Sequence, residues 1–250
     1  MNPRVAIVAV FMLAVAPAAV AAEGGAAAAV DGWDALLAKH VEPGGWVDYA
    51  GVATDADTLD AYLSYLAAID AEAFAGRPAS HRLATLINAY NAFTLRLILD
   101  HWDGGELGSI MDIPPDKRWE HQRWRVAGRS VSLNQLEHAW IRVDFDEPRI
   151  HWALVCAAYS CPPLRREAYT GDRLDAQLAD QEAYVLNLDH PRFAELDGGT
   201  LRVTRLFEWY GQDFGDWRDY LRERLPAARQ ASSIGFLDYD WSLNDVRNRP

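Results

Sequence analysis

Apolar positions return at helical intervals along most of this chain. The first stripe, Trp33, Leu36 and Leu37 running to His40, predicts a short helix that Gly44 and Gly45 break. Trp46-Val47-Asp48-Tyr49 then alternates like a brief strand, and Asp55 or Asp57 can cap a helix carrying Leu59, Tyr62, Leu63 and Leu66 on one face. From Ser80 to Trp102 the stripe Leu83, Leu86, Ile87, Tyr90, Thr94, Leu97 and Ile98 is flanked by further apolar residues, which predicts a helix buried nearly all round. Asn88 and Asn91 share a face of it. A buried carboxamide left unpaired costs about 1–3 kcal/mol, so these two are either structural staples or part of a site.

Farther on, Trp124-Arg125-Val126 and Ser130-Val131 flank a turn at Ala127-Gly128-Arg129 and predict a hairpin. Ser132 and Gln135 form a capping box that starts a helix over Leu133 to Val143, with Asn134 and His138 on one side and Glu137 about 100° away. Arg149 to Ala157 reads as a short buried strand, closed by a turn at Tyr159-Ser160-Cys161-Pro162-Pro163. A helix follows Gly171, then a strand at Leu201 to Val203, helices through Phe207 to Tyr210 and from Trp217 to Leu225, and an extended run from Ile234 to Leu243. The pattern predicts one α+β domain over 31–244, several helices on a small, mostly antiparallel sheet, with 245–250 as a tail.

The first 22 residues break this pattern. Arg4 precedes an unbroken apolar run from Val5 to Val15, and small residues follow as far as Glu23. That is the layout of a cleaved signal peptide over 1–22, with 23–30 a flexible leader, and it places the mature protein in the periplasm or outside the cell. No later apolar run is long enough to span a bilayer. Charge narrows the partners: 24 Lys and Arg against 36 Asp and Glu give −12 over 250 residues, which argues against nucleic acid and anionic membrane.

Candidate chemistry gathers between Asn134 and Cys161. In an oxidising compartment Cys156 and Cys161 can form a small disulfide loop, provided the chain doubles back between them. Alternatively one is a nucleophile, which needs a thiolate, a base and a group to orient that base. Cys161, at a strand-end turn, is the candidate, and Cys156, in mid-strand, reads as a core residue. His138 and His151 are the histidines in this span. There is no metal-ligand spacing, no phosphate loop and no Gly-x-Ser-x-Gly elbow, and no cofactor is implied. Among the ten tryptophans, Trp119 and Trp124 beside a turn are the candidate ligand contacts.

These residues fall in segments that resemble the domain-of-unknown-function 547 family in its bacterial, exported branch. The matching stretches include Leu86-Ile87-Asn88-Ala89-Tyr90-Asn91-Ala92-Phe93-Thr94, Ser132-Leu133-Asn134-Gln135-Leu136-Glu137-His138, Trp152-Ala153-Leu154-Val155-Cys156-Ala157-Ala158-Tyr159-Ser160-Cys161-Pro162-Pro163, Leu206-Phe207-Glu208-Trp209-Tyr210 and Tyr239-Asp240-Trp241-Ser242-Leu243-Asn244. The resemblance implies an exported protein and names no activity. Plant members resemble this chain at Asn88, Asn91, Glu137 and His138 but often carry serine at the cysteine positions, which counts against a thiol obligatory to the whole family.

The expectation is an exported hydrolase or acyltransferase of cysteine-peptidase or transglutaminase-like type, acting on a cell-envelope peptide or glycan. Cys161 is its expected nucleophile, His138 its base, and Glu137 or Asn134 the orienting group. Asn88 or a backbone amide near Ser160 serves the oxyanion, with Asn91, His151 and Trp124 beside the ligand. The competing expectation is a non-enzymatic envelope module in which Asn88, Asn91, Glu137, His138 and His151 bond to one another and the cysteines are bridged.

Overall fold

The computed structural model describes residues 17–249, so residues 1–16 of the expected signal peptide lie outside the described residues. Helix α1 (Pro17–His40) runs through the segment expected as a flexible leader. Alanine, the best helix former, occupies positions 26–29 and favours that continuation. The hairpin of β1 (Val41–Glu42) and β2 (Trp46–Val47) turns the chain into α2 (Tyr49–Thr54), α3 (Ala56–Ala68) and α4 (Ala71–Ala75). Trp33 of α1 stacks on Tyr62 of α3 with ring centroids 5.1 Å apart. Asp55 stands at the start of α3 but caps nothing; its carboxylate takes Lys39 and His40 instead.

Helix α5 (Ala79–Leu99) is the spine of the fold. Its stripe predicts burial, and the structure buries nearly every side chain from Leu83 to Ile98. Each large aliphatic or aromatic side chain removed from water there contributes about 1.5–3 kcal/mol before chain entropy is counted. Phe93 stacks on Trp124 at 4.9 Å, docking the hairpin of β3 (Trp124–Val126) and β4 (Arg129–Val131) against the spine. Its turn residues, Ala127 at φ 45° and Gly128 at φ 76°, have the positive φ of a tight two-residue hairpin turn.

Helix α6 (133–144) starts where the capping box places it: Ser132 N–H donates to Gln135 Oε1 and Gln135 N–H to Ser132 Oγ, both at 3.0 Å. What spacing does not anticipate is that Gln135–Ile141 is wound as a π-helix. The wider turn reduces the angle between consecutive side chains, and such segments recur at functional sites. The segment 149–157 is not a strand: Pro148–Trp152 is a 3₁₀ helix, and an extended but unladdered stretch follows it to Cys156. Pro148 begins the helix, Glu147 caps it by accepting from Arg149 N–H, and Asn91 supplies the extended stretch with the partner a neighbouring strand would otherwise give.

Helix α7 (Leu174–Val185) packs against the 3₁₀ turn. Beyond it β5 (Ala194–Asp197), β6 (Thr200–Val203) and β7 (Ser233–Phe236) form one sheet, antiparallel across β5–β6 and parallel across β6–β7, with α8 (Leu206–Tyr210), α9 (Trp217–Arg224) and α10 (Ala227–Gln230) between its strands. Trp152 joins Phe207, Phe214 and Leu221 in a second hydrophobic cluster, while its neighbours Ile150 and Ala153 lie in the first. The architecture is α+β: helices with small, mainly antiparallel sheets. The residues expected as a tail are docked as far as the 3₁₀ turn Val246–Asn248, because Asp245 is buried and pairs with β2 at Val47. Among the described residues no helix is long and apolar enough to cross a membrane.

Candidate functional site

A cavity of about 240 Å³ opens where α5, α6, α8 and three loops meet. Helix α6 contributes Asn134, Glu137 and His138, α5 contributes Tyr90, and the segment after the 3₁₀ turn contributes Leu154, Cys156 and Cys161. Leu206, Trp209 and Tyr210 of α8 reach it together because residues three and four apart share a helix face. Trp119, Tyr239 and Trp241 complete the wall. The last two are placed by main-chain bonds: Tyr159 N–H donates to Ser242 O at 2.6 Å, Ser160 N–H to Asp240 O at 3.1 Å and Asn244 N–H to Ala157 O at 3.0 Å. The segment 239–244 is thereby laid along the cysteine loop.

That loop is tight. Ala157 has φ 65°, a left-handed conformation costing a residue with a Cβ roughly 1–2 kcal/mol, and it turns the chain immediately after Cys156. Both cysteines are free. Cys156 N–H donates to Cys161 Sγ at 2.9 Å, and Cys156 Sγ lies 3.3 Å from Tyr239 Oη. The two thiols differ sharply. Hydrogen bonding from Cys161 holds the Cys156 thiol below its ordinary range despite burial, helped by Tyr239 and Ala158 N–H and opposed by the charge of Glu137. Burial first, then the bond to Cys156 and its charge, push the Cys161 thiol well up. Burial, and next the Cys156 charge, likewise raise the Tyr239 phenol, so it stays a donor. Cys161 Sγ, which also lies 3.8 Å from Leu154 O, is buried, whereas Cys156 Sγ is half-buried on the cavity wall, so the environment favours the thiolate at Cys156 rather than at the Cys161 expected from sequence.

Around them runs a chain of charged and imidazole groups. Arg142 donates through Nε and Nη2 to Asp213 Oδ2 and Oδ1 at 2.6 and 2.7 Å, and its Nη1 lies 2.8 Å from His138 Nδ1. His151 Nε2 meets Asp213 Oδ2 at 2.7 Å. Burial lowers the His151 pKa, with Asp213 pulling the other way. Burial also acts on Asp213, but Arg142 and His151 outweigh it and hold the carboxyl below its usual range. The Tyr210 ring lies against His151 at 4.1 Å and His138 at 6.1 Å. Glu137 Oε1 stands 3.9 Å from His138 Nε2, too far for a hydrogen bond.

Of the residues singled out from sequence, both cysteines, His138, Glu137, Asn134, His151 and Trp119 line this cavity. Asn134 donates to Glu120 rather than orienting His138; Arg142 is the residue bonded to the imidazole. Asn88 does not serve an oxyanion, because its carboxamide exchanges both bonds with the Tyr169 main chain and accepts from Trp33 Nε1. Asn91 is committed in the same way, donating to Ala153 O at 3.0 Å and accepting from Val155 N–H at 2.9 Å. Ser160 is occupied on both its amide and its hydroxyl by Asp240, and Trp124 is buried in the core. The network expected to join five polar residues is therefore divided: two asparagines staple the backbone, and Glu137, His138 and His151 face a cavity.

Arg142, Tyr210 and Tyr239 escaped the reading of the residues, and Asp213, one acid among many, carried no signal there. Arg142 alone left a local signal, standing four residues beyond His138 on one helix. Among the described residues no group of three or more His, Cys, Asp or Glu side chains converges as a metal site.

Residues 76–185 match the family model described as "Protein of unknown function, DUF547". The resemblance seen in the sequence is thereby shown over that segment, which holds both asparagines, Glu137, both site histidines and both cysteines; Asp213, Tyr239 and Trp241 lie beyond it. No curated protein and no solved structure matches the chain.

Proposed function

We propose that this DUF547-domain protein is an exported thiol-dependent hydrolase or acyltransferase acting on amide or ester bonds of the cell envelope, with Cys156 as its nucleophile. The observation that carries the reading is the place of one sulfur. Cys156 Sγ lines the cavity 3.3 Å from Tyr239 Oη and beside Cys161, and its hydrogen-bonding surroundings favour the thiolate.

The thiolate attacks an acyl carbon, forming a C–S bond while the carbonyl electron pair moves onto oxygen. Collapse of that intermediate expels the alcohol or amine. The departing group takes its proton from solvent, to which the His138 side chain on the cavity wall is about 36% exposed. Water or a second acceptor then attacks the thioester, Glu137 receives the incoming proton, and Cys156 leaves as the thiolate its donors favour. The aromatic wall of Trp119, Trp209, Tyr239 and Trp241 supports a substrate that stacks, such as the glycan or peptide of an envelope polymer. Export rests on the apolar run after Arg4 and the small residues before Glu23.

An activated ester tests the reading. Wild-type protein should gain one acyl group on the peptide containing Cys156 and release it with turnover, while Cys156→Ser and Cys156→Ala should do neither. Unchanged turnover in both variants, or labelling of Cys161 alone, refutes it. The competing scaffold reading is favoured by one observation, the complete commitment of Asn88 and Asn91 to main-chain groups. With both cysteines free in the structure, it predicts that wild type, like Cys156→Ala, leaves the activated ester untouched.

A further inference from the structure

The role of His138 can be taken further from its bonding alone. A guanidinium carries only donors, so the nitrogen it meets must be an acceptor. Arg142 Nη1 lies 2.8 Å from His138 Nδ1; Nδ1 therefore holds the lone pair, and the hydrogen of the neutral ring sits on Nε2. Arg142 is not free to turn away. Its other two nitrogens are engaged by both oxygens of Asp213, and one of those oxygens is also held by His151 Nε2 at 2.7 Å. The opposite tautomer would set one N–H against another.

This excludes the role expected from sequence. A general base needs a lone pair facing its proton, and the only lone pair of His138 faces Arg142. It also leaves a donor in hand. Among the described residues Nε2 makes no hydrogen bond; Glu137 Oε1 at 3.9 Å leaves it free for an incoming acceptor, and the ring lines the same cavity as Cys156. Asn88 and the Ser160 amide, the donors first considered for an oxyanion, are spent elsewhere.

We infer that His138 donates its Nε2–H to the oxyanion formed when Cys156 attacks, and that Arg142, Asp213 and His151 are positioning residues that impose the tautomer. The inference rests on the acyl-transfer reading for what the donor does, and not for which nitrogen carries the hydrogen.

Nitrogen-15 NMR of the histidine-labelled full chain separates the two. In wild type His138 should show a pyridine-type Nδ1 and a pyrrole-type Nε2. In Arg142→Met the two tautomers should mix, acylation of Cys156 by an activated ester should fall about tenfold, and alkylation of Cys156 by iodoacetamide should keep its rate. Arg142→Lys, which still offers a donor, should recover the tautomer and part of the acylation rate. Removing the donor itself, in His138→Ala, should cost about 10²-fold or more in acylation, as for other oxyanion donors. Asp213→Asn serves as a second probe if Arg142→Met fails to fold, and should shift the same nitrogen signals toward a mixture. A pyrrole-type Nδ1 in wild type overturns the positioning chain and leaves the Cys156 reading standing. The expected tautomer with an acylation rate indifferent to His138→Ala overturns the donor role.

Discussion

Tyr239→Phe isolates one of the groups that favour the Cys156 thiolate. The substitution keeps the ring, and with it the packing against Trp209 and Trp241 at 4.8 and 4.5 Å, and removes only the hydroxyl 3.3 Å from Sγ. A hydrogen bond to a charged group is worth about 1.5–3 kcal/mol; sulfur is a long, soft acceptor and Cys156 is only half-buried, which argues for the low end. At 1.36 kcal/mol per pKa unit, the loss raises the Cys156 thiol by roughly one unit, and the thiolate fraction below that pKa falls about tenfold. The assay is the iodoacetamide rate of the full chain as a function of pH, with the alkylated cysteine identified by peptide mass. Wild type should show a midpoint below that of an ordinary thiol, on Cys156, and Tyr239→Phe should move it upward by about that one unit while Cys161 stays unreactive. A midpoint that stays put or moves down, or prior alkylation of Cys161, refutes the account of the sulfur.

Other expectations concern the frame that holds the site. Asn91→Ala strands Ala153 O and Val155 N–H and should cost about 2–4 kcal/mol in urea unfolding, with the loss of Cys156 reactivity no greater than the loss of folded protein. Ala157→Val places a branched side chain at φ 65° in a buried turn and should destabilise by about 2 kcal/mol or more, measured the same way. Acidification should weaken the fold through His151 and Asp213. Both have folded pKa values below their ordinary ones, so the unfolded chain binds more protons and the stabilisation present at higher pH is lost as pH falls, from the ordinary histidine value downward for His151 and from the carboxylate range downward for Asp213. Urea midpoints followed from neutral pH to pH ~3, across those two ranges, should show that decline in wild type and a shallower acid limb in Asp213→Asn.

Much of the frame was legible in the chain, because the relevant physics is local. The stripe along α5, the Ser132–Gln135 capping box and the Ala127-Gly128 turn each follow from residues a few positions apart. So did the cluster of candidate residues between Asn134 and Cys161, six of which line the cavity. Where an element was misread, at 149–157, a long-range bond intervened: the Asn91 carboxamide stands in for a strand from 62 and 64 positions away, and no periodicity reports that.

Sequence by itself determined the buried spine, the hairpin, the capped helix and the α+β class. It also narrowed the chemistry to two cysteines and a few polar neighbours. Tertiary structure alone decided which groups surround each sulfur and how His138 is oriented. Both depend on groups distant in the chain, Tyr239 on Cys156 and Asp213 on Arg142, whose effect exists only at hydrogen-bond distance. Helical and strand periods can tell which side of an element is buried; a pKa and a tautomer are set by atoms about 3 Å away, and only the folded chain places those.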